Sequence, residues 1–279
     1  MNIRTLMIGV CLANVLVVSG CAKSMKTVDN ADTISVAAKM SPLEHVIAGE
    51  WRGDEAQRDV FRHPKETLEF FGLAPEQTIV EIYPGGGWYS NILTPYSKAT
   101  GGTYIAAGVG KRFKDKFETN GELYGLVTSV DFSDKSPLLA GGQADLVLSF
   151  RNVHSWVSRG FEEKAFADFY AALKPGGILG IVEHRLPESG EQDLKTRDGY
   201  VQASFVKSLA AEVGFEFVGS SEINANPKDT ADHPFGVWTL PPVSSSAKRG
   251  EEMAADFDEA KYKAIGESDR FTLKFRKPM

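Results

Sequence analysis

TIVEIYPGGGWYSNIL, residues 78–93, places Ile79, Val80, Ile82 and Tyr83 in one short apolar run and then breaks at Pro84-Gly85-Gly86-Gly87. Such a run suits a strand buried on both faces of a parallel sheet. Trp88, Ile92 and Tyr96 follow at a spacing of four, the period of a helix. The stretch therefore reads as strand, glycine turn, helix. Without Cβ atoms, the three glycines let a polar ligand approach the backbone, and the free N–H groups of the next helix point the same way. A tight connection that binds nothing would use the same residues.

Outward from this stretch, Pro64 stands at a first helical position, Leu68 and Phe71 lie three apart, and Gly72 follows as a left-handed cap, so Pro64 to Phe71 is expected to be a short helix. Arg58, Asp59, Arg62 and His63 precede it and read as a solvated surface, with a face toward the glycine turn as the alternative. Further strands are expected over 103–107, 124–130, 144–150 (ADLVLSF) and 178–182. Phe161, Ala165, Phe166, Phe169 and Leu173 recur at helical spacing until Lys174-Pro175-Gly176-Gly177 ends the helix. Val201, Phe205, Leu209 and Val213 mark another helix, capped by Gly214, with a strand from Phe215. A long excursion over 224–269 then separates that strand from Phe271, Leu273 and Phe275, whose alternation marks a strand with unequal faces. Strands alternating with helices give an α/β sheet covered on both sides.

A composition of 42% hydrophobic and 24% charged residues is that of an ordinary globular chain, and one main domain is expected over 41–279. The start differs. Arg4 precedes an uncharged apolar run from Thr5 to Ser19, too short for a comfortable membrane span, and Val18-Ser19-Gly20-Cys21 resembles the lipobox of bacterial lipoproteins. That resemblance implies removal of residues 1–20 as a signal peptide and lipidation of Cys21. With Ala22 next, it implies an anchor in the outer membrane facing the periplasm, the lipid being the only membrane contact. An uncleaved anchor or a plain signal peptide are the alternatives. Residues 22–40 are small and polar without period and read as a flexible tether. Cys11 lies in the leader, so no disulfide forms in the mature chain. A net charge of −6 argues against a nucleic-acid surface.

Over residues 64–279 the order of features resembles the class I S-adenosylmethionine-dependent methyltransferases. Glu81-Ile82-Tyr83-Pro84-Gly85-Gly86-Gly87 corresponds to the family's first motif, Asp131 follows the third strand, Asp145-Leu146-Val147-Leu148 forms the fourth, and Leu173-Lys174-Pro175-Gly176-Gly177 precedes the fifth. The resemblance implies a Rossmann-like seven-stranded sheet in the order 3-2-1-4-5-7-6, last strand antiparallel, with S-adenosylmethionine as cofactor and a small-molecule methyl acceptor. It further implies cofactor contacts from Glu81, Tyr83, Gly85, Gly86, Gly87, Asp131 and Asn152. Two positions depart from the family's pattern: Tyr83 stands where a glycine is usual, and 103–110 lacks the acid that binds the ribose hydroxyls. A nicotinamide dinucleotide site ranks behind, because Ser90 replaces its third glycine.

In an open parallel sheet the ligand lies beyond the carboxyl ends of the strands. The residues there are Arg151, Asn152 and His154 after the fourth strand and Glu183, His184 and Arg185 after the fifth. A histidine suits removal of a proton from the acceptor, which makes His154 the first candidate base and His184 the second. Histidines hydrogen-bonded in the wall of a cleft would look the same. Arg151 and Arg185 are candidate clamps for an anionic acceptor, or could instead pair with Glu183 and other local acids. The long excursion suits either a lid or a surface arm. No metal site is expected, since the five histidines show no ligand-like spacing. Because S-adenosylmethionine is made in the cytoplasm and a lipoprotein ends outside it, a non-catalytic envelope module that keeps the fold is the alternative function.

Overall fold

The computed structural model describes residues 40–139 and 141–279; the leader, Cys21 and most of the tether lie outside the described residues. Among the described residues eight strands form: β1 (Thr78–Ile82), β2 (Thr103–Ala107), β3 (Val127–Val130), β4 (Ala144–Phe150), β5 (Leu173–His184), β6 (Glu216–Ser221), β7 (Pro234–Val237) and β8 (Arg270–Arg276). All but β7 join one sheet in the order β3-β2-β1-β4-β5-β8-β6. The pairs from β3 to β5 are parallel, and β8 runs antiparallel to both β5 and β6. Counted along the sheet alone, this is 3-2-1-4-5-7-6.

Successive residues of β1 and β4 feed opposite faces, as the pleat requires. Val80, Ile82 and Val147 pack with Trp156, Phe166 and Phe169 on one side, while Ile79, Leu146 and Leu148 pack with Leu68, Phe71 and Ile92 on the other. The helices are α1 (Pro42–Ile47), α2 (Asp59–Arg62), α3 (Pro64–Phe71), α4 (Ser90–Thr100), α5 (Lys111–Phe117), α6 (Gly121–Tyr124), α7 (Val153–Arg159), α8 (Glu162–Ala172), α9 (Ala203–Glu212) and α10 (Glu259–Ile265). A 3-10 segment, Glu50–Arg58, joins α1 to α2 and is broken at Gly53.

Three local expectations need correction. The third strand begins at Val127, because Asn120 caps the short α6 and Gly125, at φ 73°, turns the chain before the strand can start. Lys174-Pro175-Gly176-Gly177 is not a free connection: α8 stops at Ala172, and β5 already starts at Leu173. That segment is held by Lys174 Nζ on Asp145 and by backbone bonds between Gly176, Gly177 and Lys277. Finally, the helix after the glycine turn begins at Ser90, so Trp88 belongs to the turn itself.

Candidate functional site

A cavity of about 330 Å³ opens at the carboxyl ends of β1, β4 and β5. This is where a reversal of strand order leaves a crevice in an open α/β sheet. Gly85 and Gly86 form its edge, and a Cβ added to either would meet nothing within 4 Å, so their backbone faces open space. Gly87 does not join them: a Cβ there would strike Phe117 at 2.3 Å, so this glycine serves packing.

Tyr83 lines the cavity at φ 44°, a left-handed conformation costly for a bulky side chain. Its hydroxyl donates to the Phe132 carbonyl at 3.0 Å. Its ring lies over Gly108 at the end of β2, where a Cβ would fall 2.1 Å from Cε1. A side chain at position 108 would therefore meet this ring. Glu81 reaches the cavity but is buried, accepting from Tyr104 at 2.6 Å and Ser90 at 2.7 Å. Burial pushes its carboxyl up to about 7 against the pull of those two bonds.

After β4, Arg151 adopts φ 65° and Asn152 donates to the Ile82 carbonyl at 2.8 Å, tying the ends of β1 and β4 together. His154 Nδ1 lies 3.1 Å from Glu183 Oε1, and Thr196 Oγ1 donates to the His154 carbonyl at 2.6 Å. With the Glu183 carboxylate as acceptor, Nδ1 is the donor, and in the neutral ring that tautomer leaves Nε2 free to accept. The two histidine rings stand 5.5 Å apart. His184 bonds Ser268 through Nδ1, and burial first, then the charges of Arg151, Arg270 and Arg62, keep it neutral, its pKa well below the ordinary value. Tyr83 and Arg151 line the cavity in left-handed backbone, Thr196 braces His154, and His63, also left-handed, follows Arg62. Such strain collects where surrounding structure fixes a site.

Spacing gave no hint that His154, Glu183 and His184 meet, yet their ligand atoms lie within 4.8 Å of one another. The Glu183 oxygens already accept from the backbone N–H groups of His184 and His154 as well as from Nδ1. Three arginines also act on His184, so the group is better suited to handling a proton than to holding a cation.

Of the two readings for the polar tract before Pro64, the solvated surface fails and the face toward the glycine turn holds: Arg62 is buried and lines the cavity together with Arg58 and Arg151, the last already a candidate. Glu267 is their counter-charge: Arg58 Nε approaches it at 2.7 Å, Arg62 Nε at 3.0 Å and Arg270 Nη1 at 3.1 Å. Burial alone would raise the Glu267 carboxyl, but Arg62, Arg270, Arg151 and Arg58 overcome it and hold the group down to about 2. A charged residue in a polar tract carries no periodicity, so only the fold could bring Arg62 inside. Glu183 does not pair with an arginine, and Arg185 turns away to Glu222 and Asp269. Asp131 is exposed and does not line the cavity.

The excursion supplies the remaining wall. Val237, Trp238, Leu240, Pro241, Pro242 and Val243 close one side, with the Trp238 ring 6.2 Å from that of His154. Its earlier part, Asn224 to His233, is structural: Asn224 bonds Thr67 and Thr272, and Asp229 accepts from Tyr200 and pairs with His233.

No family model and no curated protein matches the sequence. Among solved structures, the chain is similar to a SAM dependent methyltransferase from Aquifex aeolicus, at 15% identity and a TM-score of 0.54 over 86% of this chain and 100% of that one. A geranyl diphosphate C-methyltransferase from Streptomyces coelicolor A3(2), in complex with Mg2+, geranyl diphosphate and S-adenosyl-L-homocysteine, is similar at 13% identity and 0.54 over 86% and 85%. The [4+2]-cyclase SpnF matches at 15% and 0.54 over 78% and 80%. Likeness at such identities is likeness of fold. With its strand order, its antiparallel last strand and its glycine turn after β1, the chain has the Rossmann-like fold of the class I S-adenosylmethionine-dependent methyltransferases.

Proposed function

We propose that the protein is an S-adenosylmethionine-dependent methyltransferase acting on a small-molecule acceptor. The observation that carries this reading is the glycine edge of the cavity, where Gly85 and Gly86 leave the backbone bare in a fold shared with methyltransferases. A neighbour of that fold holds S-adenosyl-L-homocysteine in its crystal structure, which supports the same cofactor here. Gly85 and Gly86 would border the cofactor, and Tyr83 would close the side where the ribose acid is missing. When bound, S-adenosylmethionine supplies a methyl group on a sulfonium, whose sulfur leaves as a neutral thioether.

The residues of the chain do the rest. His154, held by Glu183 with Nδ1 protonated, presents Nε2 to take a proton from the acceptor as its nucleophile attacks the methyl carbon. Trp238 and the wall around it exclude water and orient the acceptor for in-line transfer. Neutral His184 donates no charge to the cavity and braces the Ser268 side.

Calorimetric titration of the full chain with S-adenosylmethionine and S-adenosylhomocysteine tests the reading. Micromolar binding of either is expected, and Gly86→Leu is expected to abolish it without loss of stability, because that position has ordinary φ and open space beside it. Absence of heat and of thermal stabilisation at millimolar ligand would overturn it. Lipidation at Cys21, with an outer-membrane address, belongs to the same proposal; metabolic labelling with an alkyne fatty acid should mark the wild-type chain and not Cys21→Ser.

A further inference from the structure

Arg58, Arg62 and Arg151 converge on the cavity from the 3-10 segment, the end of α2 and the end of β4, and Arg270 backs them from β8. Glu267 is shared among them, and Arg151 enters no ion pair among the described residues. Both Nη atoms of Arg62 and Nη2 of Arg58 are buried without a hydrogen-bond partner. Arg62 is 1% exposed; its guanidinium keeps Glu267 through Nε and lies 4.7 Å over the Trp88 ring, so only its Nη donors are left without a partner. Leaving buried N–H donors of a guanidinium unpaired is costly. Planar guanidiniums with free N–H pairs are matched by the oxygens of a carboxylate or a phosphate.

The same cavity has an apolar side. Val237, Trp238, Leu240, Pro242 and Val243 line it, and Trp238 remains 36% exposed while resting against His154. His184, next to His154, feels the charges of Arg151, Arg270 and Arg62. The arginines, the candidate base and the tryptophan wall therefore line one cavity.

Resting on the methyltransferase reading for its chemistry but not for its binding test, we propose that the methyl acceptor is an amphipathic oxyanion. Its carboxylate or phosphate sits on Arg58, Arg62 and Arg151, and its apolar body lies against Trp238 beside His154.

Thermal-shift and calorimetric titrations of the full chain with inorganic phosphate, phenyl phosphate, benzoate and S-adenosylhomocysteine test this. Phosphate is expected to stabilise saturably in the millimolar range, additively with S-adenosylhomocysteine. Phenyl phosphate or benzoate is expected to bind roughly tenfold tighter than phosphate, since the ring is removed from water. Whichever of the two wins identifies the acceptor's charged group. Trp238→Ala should erase the advantage of the ring and keep phosphate binding. Arg58→Gln, at a half-exposed position that tolerates the change, should weaken phosphate roughly tenfold and leave S-adenosylhomocysteine within about twofold, with Arg62→Gln stronger in the same sense.

Competition between phosphate and S-adenosylhomocysteine would overturn the proposal by giving the arginines to the cofactor's own carboxylate. So would unsaturable phosphate effects, or an Arg58→Gln chain that binds phosphate as before. Phosphate binding without any binding of S-adenosylhomocysteine would leave an anion site intact and sink methyl transfer, so the two failures are distinguishable.

Discussion

Glu183 is fully buried, and both its oxygens hold the start of α7: one accepts from the His154 ring, the other from the His154 backbone N–H. Removing the ring and removing its orienter are therefore different injuries. His154→Ala deletes the proton acceptor and is expected to lower kcat by a factor on the order of 10² to 10⁴. Glu183→Gln keeps the ring but offers an amide that can donate to Nδ1, which invites the wrong tautomer; it is expected to lower kcat with little change in cofactor affinity, measured by single-turnover kinetics and titration together. Equal kcat in wild type and His154→Ala would remove the base from the mechanism. At this scale the sequence was partly legible. His154 and His184 follow apolar runs, and a residue that follows a strand in a parallel sheet lies near the ligand. Arg58 and Arg62 were not legible, because their burial depends on Glu267, far away in the chain, and no local pattern encodes that partner.

Elements obey the local letters more closely. The helix from Pro64 to Phe71 and the strands 103–107 and 144–150 begin and end where proline, glycine and apolar runs put them. Boundaries failed where a tertiary partner intervened, as at Leu173 to Gly177, which β4 and the tail near Lys277 capture into β5. Packing of α3 on the sheet runs through one tight contact: a Cβ on Gly180 of β5 would fall 2.7 Å from the Phe71 ring, so the glycine makes room for the aromatic side chain. Phe71 is wholly buried and also touches Phe70 and Phe150. Phe71→Ala is expected to cost about 3–5 kcal/mol of stability, read from urea unfolding. A loss below about 1 kcal/mol would mean that the helix closes over the gap and that Phe71 does not anchor it.

For the whole molecule, Glu267 joins the first helices of the described residues to the last strand. Arg58 and Arg62 reach it from the N-terminal helices, and Arg270 from the last strand. A carboxyl held near 2 in the folded state and near 4.5 when unfolded contributes stability in full above about 4.5 and loses it as pH falls toward 2. Thermal melts of wild type are expected to fall over that window. Glu267→Gln is expected to flatten this part of the profile and to be less stable at pH 7 by roughly 3–5 kcal/mol, since it leaves several guanidiniums buried without their anion. A variant with an unchanged acid profile would show that other carboxyls carry the transition.

The ring of Tyr83 over Gly108 also couples two positions that lie far apart in the chain. A Cβ at 108 would fall 2.1 Å from the ring, so a side chain there has no room while the tyrosine stands, whereas a smaller residue at 83 uncovers the end of β2. The two positions therefore act as one steric unit: 83 sets what 108 can carry.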